Sequence, residues 1–129
     1  MSQSKKLAHA LHNEEVCNWL NRKPEFTDWV ITTAFYSAIH FVDHKLFPLK
    51  QNSVTYKSFE EYSLRANKFN ENKHKLKSRL VSTEANSIFP AYNQLKEMSF
   101  NARYIDYATD RSISNKAIEL LKEIKKYCS

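Results

Sequence analysis

Apolar residues recur at helical intervals along most of the chain. From about Ser4 to Asn21, the positions Leu7, Ala8, Leu11, Val16, Trp19 and Leu20 are spaced for one face, with Glu14, Glu15 and Asn18 on the wet side. Asn21-Arg22-Lys23-Pro24 ends this first helix, because a residue before proline avoids the α region. Thr27 is the expected N-cap of a second helix, with Asp28 beside its positive end. That helix runs through DWVITTAFYSAIHFVDHKL to about Leu46 and is apolar around most of its circumference, so it is expected to be the buried centre of a bundle.

Pro48 closes the central helix. Residues 49–60 lack a clean period and read as a loop containing at most a short helix. Helical spacing resumes over about Ser58–Asn70 and again over about Lys73–Val81. Ser82 or Thr83 is expected to cap the next helix, in which Ile88, Phe89, Tyr92, Leu95, Met98 and Ala102 recur every three or four residues. Pro90 either kinks that helix or marks its true first turn. Residues 103–112 form a connection. Ser114 is the expected cap of a last helix whose face is Ala117, Leu120, Leu121, Ile124 and Cys128. The expected architecture is one all-α domain over residues 1–129, with its core at about 5–127, a four-to-five-helix bundle with an irregular middle.

Composition sharpens this. The chain of 129 residues contains no glycine, where average usage would supply roughly nine. Phosphate-cradling loops, dinucleotide-binding turns and nucleophile elbows need glycine for close backbone approach and positive φ, so these classes are excluded. An all-β meander is disfavoured for the same reason. Aromatic residues make up 13% and supply a large core for a small domain. The N-terminal MSQSKKLAHALHNEEV lacks an apolar signal core, and the most apolar run, Trp29–Val42, is too short and too polar to span a membrane. Cys17 and Cys128 have no metal-type spacing, which points to a reduced, cytoplasmic protein, with one disulfide between the two ends as the alternative.

The net charge is +6. Between Arg65 and Arg79, six cations (Arg65, Lys68, Lys73, Lys75, Lys77 and Arg79) stand against Glu71 alone. Such a run is either a solvated helix face or a polyanion site. His40 and His44 lie four residues apart on the central helix, as in zinc-binding helices, with His9 or His12 as a third ligand. Phe41 stands where such a helix carries Glu, and no cluster completes the set, so no metal or cofactor is expected. Arg103-Tyr104 can grip a phosphate and stack on a base, or can equally pair with Asp28 or Asp106 and fill core space.

The segments DWVITTAFYSAIHFVDHKL, NKHKLKSRLV and YNQLKEMSFNARY together resemble the HEPN superfamily (higher eukaryotes and prokaryotes nucleotide-binding domain). The resemblance rests on the order of Asp28-Trp29, Phe35-Tyr36 with His40, His74 with Arg79, Tyr92 with Leu95, and Arg103-Tyr104. It implies an all-α bundle, frequently a homodimer, that binds RNA or nucleotides. It also implies a place in prokaryotic defence or toxin–antitoxin systems, alongside a partner protein from the same operon. Many members are metal-independent endoribonucleases with an Arg followed by His after four to six intervening residues.

This chain departs from that motif. No arginine is followed by histidine at the required spacing, and His74 precedes Arg79 instead. A five-residue step turns a helix by about 140°, so His74 and Arg79 would not share a face. The expectation is therefore a divergent or catalytically silent RNA or nucleotide binder. Binding is assigned to Arg65, Lys68, Lys73, Lys75, Lys77, Arg79, Arg103 and Tyr104. If the protein is an enzyme, His74, Arg79 and Arg103 are the catalytic candidates. The competing expectation is a helical dimerisation or protein-interaction module without nucleic-acid function.

Overall fold

Helix α2, Thr27–Leu46, forms the axis of the molecule. In the computed structural model, which describes residues 4–129, it packs against α1 (Lys5–Leu20), α5 (Phe89–Tyr104) and α6 (Arg111–Cys128). Val30, Ile31, Ala34, Phe35 and Ala38 are fully buried, as the nearly continuous apolar circumference of α2 requires. Small residues allow α1 to approach closely. Ala10 and Ser37 are both fully buried, and the Ser37 hydroxyl donates to the Ala10 carbonyl at 2.7 Å. The protein is all-α, with six α-helices among the described residues and 76% helix. No helix among them is long and apolar enough to cross a membrane.

The middle of the chain holds more order than its pattern announces. Residues 49–60 were expected to form a loop. They contain an antiparallel hairpin, β1 (Leu49–Gln51) paired with β2 (Val54–Tyr56), in the register Leu49 to Tyr56. Asn52 and Ser53 supply the turn with φ of 53° and 66°, a left-handed pair that would ordinarily fall to glycine. Helix α3 (Phe59–Ala66) follows, capped by Ser58, whose hydroxyl accepts from the Glu61 N–H at 3.2 Å. Phe47, Tyr56, Phe59 and Tyr62 pack edge to face or tilted and seat the hairpin and α3 beside the bundle. Helix α4 (Lys73–Glu84) is capped by the Asn72 side chain and leans on α5.

Three expected caps are corrected. Thr27 is the first residue of α2; its buried hydroxyl donates to the Thr109 carbonyl at 2.7 Å and ties α2 to the α5–α6 connection. Ser82 and Thr83 stay inside α4, where their hydroxyls bond back to the carbonyls of Arg79 and Leu80. Ser114 is buried within α6, and Asp110 is the cap, accepting from the N–H groups of Ser112 at 2.8 Å and Ile113 at 3.2 Å. Pro90 occupies the first turn of α5, where its missing N–H costs nothing.

Candidate functional site

A cleft of about 600 Å³ opens between α4 and α5. Helix α4 contributes His74 and Lys75 from its first turn, with the capping Asn72 just outside it. Helix α5 contributes Lys96, Phe100 and Arg103 along one stripe, at the i, i+4, i+7 spacing that places side chains on one helix face. The buried Phe35 of α2 forms the floor, its ring 6.1 Å from that of His74. Glu97 is the acidic lining residue and makes no ion pair among the described residues.

Arg103 is held before any ligand arrives. Its Nη1 donates to the Tyr36 hydroxyl at 2.5 Å and its Nε donates to the Ser99 carbonyl at 3.3 Å. The guanidinium lies 5.4 Å from the Tyr36 ring and 5.1 Å from the Tyr104 ring. A guanidinium has five N–H donors, so this clamp fixes its plane and leaves donors for an oxyanion. His74 titrates below the ordinary imidazole range, first through partial burial and then through the charges of Arg103, Lys77 and Lys96. It is therefore neutral at pH 7 and able to accept a proton. Lys96 donates to the Ser78 hydroxyl at 2.8 Å, which links the two walls.

The 65–79 basic run does not act as one surface. Lys75 lines the cleft, while Lys68 and Lys73 are exposed outside it. Arg65 pairs with Glu61 at 3.2 Å and lies over Tyr56. Arg79 pairs with Glu71 and lies 5.6 Å from the Phe69 ring, so it braces the α3–α4 loop and does not line the cleft with His74. Lys77 corrects the sequence reading most sharply. It is buried, its ammonium donates to Asp43 at 2.6 Å, and it lies 4.1 Å from the Phe59 ring. Burial raises the Asp43 carboxyl despite the pull of Lys77, so this pair is a costly internal tie between α2 and α4.

The histidines of α2 are otherwise engaged. His40 stacks on His9 with ring centroids 3.7 Å apart, and its pKa is lowered to about 4 by burial and by the charges of His9 and Lys77. His44 Nδ1 shares a 2.8 Å hydrogen bond with the Ser4 hydroxyl. Among the described residues, no three His, Cys, Asp or Glu side chains gather as metal ligands. Cys17 and Cys128 are free and buried, and burial pushes their thiols up to about 11 and about 12.

Of the residues singled out from the sequence as site residues, His74, Lys75 and Arg103 line this cleft and Tyr104 lies against Arg103 outside its lining. Lys96, Phe100, Glu97, Asn72 and Phe35 line it without having been singled out as such. The i, i+4, i+7 stripe of Lys96, Phe100 and Arg103 was visible in the spacing, but the density of charge in 65–79 outweighed it. Comparison with protein-family models, with curated proteins and with solved structures gives no match.

Proposed function

We propose that this protein binds RNA or a nucleotide in the α4–α5 cleft, as a divergent HEPN-like protein of a prokaryotic defence or toxin–antitoxin system. The observation that carries this reading is the convergence of Arg103, Lys96 and Lys75 with His74 beside the exposed ring of Phe100. Cations match a phosphate, and aromatic faces accept a base. Arg103, already oriented by Tyr36 and Ser99, binds a phosphate with little further loss of side-chain freedom. If the site is catalytic, neutral His74 removes the 2′-hydroxyl proton and Arg103 stabilises the charged phosphorane. Cleavage then persists in EDTA and leaves a 2′,3′-cyclic phosphate.

Fluorescence anisotropy with single-stranded RNA tests the binding claim. Arg103→Ala should weaken binding by about 2 kcal/mol, roughly thirtyfold, as for loss of charge-assisted hydrogen bonds. His74→Ala should abolish any cleavage and leave affinity nearly intact. RNA affinity unchanged in Arg103→Ala would refute the cleft. A second reading, a helical protein-interaction module, is favoured by the exposure of Trp19, Trp29, Tyr104 and Tyr107. Absence of RNA and nucleotide binding in the wild type would favour it.

A further inference from the structure

A second hollow, of about 450 Å³, lies on the other side of α5, against the start of α6. Gln94 and Asn101 of α5 line it, with Thr109, Ser112 and Lys116 from the connection and α6. Glu97 lines both hollows. At 100° per residue, Glu97 falls on α5 between the stripe of Lys96, Phe100 and Arg103 and the stripe of Gln94, Met98 and Asn101. The two hollows therefore adjoin along a ridge whose crest is Glu97. Their chemistry differs. The α4–α5 cleft offers cations and aromatic faces. The second hollow offers two side-chain amides, each able to donate and accept at once, and a single cation. Donor–acceptor pairs of that kind match the edge of a base, whereas concentrated positive charge matches a phosphate.

We infer that the second hollow is a subsite for the neighbouring nucleotide of a single strand that crosses α5 at Glu97. This rests on the reading of the α4–α5 cleft as a phosphate site. A phosphate over Glu97 would meet like charge, so the sugar crosses the ridge, with a phosphate on the Arg103 side and the next base against Gln94 and Asn101. Joining two nucleotides makes occupation of the second hollow intramolecular, and affinity rises without any change in the first site.

Isothermal titration of AMP and of the dinucleotide pApA tests this, with wild type and with the double variant Asn101→Ala, Lys116→Gln. Asn101 and Lys116 are exposed, and a thermal denaturation midpoint near that of the wild type is the control for folding of the variant. The wild type should bind pApA at least tenfold more tightly than AMP, beyond the twofold expected from two equivalent ends. The variant should lose that increment and keep its AMP affinity. AMP binding with no increment for pApA, or an increment that survives in the variant, overturns the subsite and leaves the phosphate cleft standing. Absence of AMP and pApA binding alike overturns both.

Discussion

Lys77 and Lys75 are two residues apart on α4 and have opposite fates. Lys75 meets solvent at the cleft, whereas Lys77 turns inward to Asp43 and Phe59. The sequence shows charge but not direction, because the buried face of α4 takes in the polar Lys77 and Ser78 along with Leu76, Leu80 and Val81, and residue type does not mark them as inward-facing. Removing one partner of a buried pair strands the other. Lys77→Ala should therefore cost about 3–5 kcal/mol in urea denaturation, while Lys75→Gln should change stability little and RNA affinity more. His40 supplies a pH test. Unfolded histidine protonates near 6.5, but the folded state resists down to about 4, so the unfolded chain binds more protons between these values. Stability should fall as pH drops through this window, by about 1–2 kcal/mol once solvent screening is allowed for. His40→Phe, which keeps a ring against His9, should flatten that slope. An unchanged pH profile would place the proton uptake elsewhere.

At the scale of elements, the long apolar periods were legible and the punctuation was not. The limits of α1 and α2 follow from Leu7 to Leu20 and from the apolar span ending at Leu46, and the structure gives Lys5–Leu20 and Thr27–Leu46. Helix starts proved harder, because a Ser or Thr near a start can cap, bond back within the helix, or reach across the fold. Thr27 chose the Thr109 carbonyl, and Ser114 the carbonyl of Arg111 within its own helix. The hairpin escaped because its turn uses Asn52-Ser53 in place of glycine, and its three-residue strands are too short to show a period of two. The cap assignment predicts that Asp110→Ala lowers the melting temperature while Ser114→Ala leaves it nearly unchanged. Cap hydrogen bonds from Ser112 and Ile113 hold the Asp110 carboxyl below its ordinary range. Its contribution is therefore present above about pH 4 and lost as pH falls through the folded value.

On the scale of the whole molecule, α2 fixes where α4 and α5 can stand, and their separation makes the cleft. Phe41, 1% exposed at the centre, tests that framework: Phe41→Ala should cost about 3–5 kcal/mol in chemical denaturation. Salt dependence tests the partition of charge. Each phosphate contact on a single strand contributes about 0.7 to the slope of log affinity against log salt. Lys75→Gln with Lys96→Gln should flatten that slope by more than Lys68→Gln with Lys73→Gln; the reverse order would return the site to the outer basic run. The two buried thiols provide one further means of observation. Cys17 is sealed in the middle of the bundle, its Sγ 3.4 Å from the Val30 carbonyl, whereas Cys128 closes the last turn of α6. Both stay protonated and shielded in the native fold, so a thiol-specific reagent can modify them only when the protein opens. The labelling rate of Cys128 then times the fraying of one helix end, and that of Cys17 times the parting of α1 from α2, two clocks on separate motions in a chain that needs no added probe.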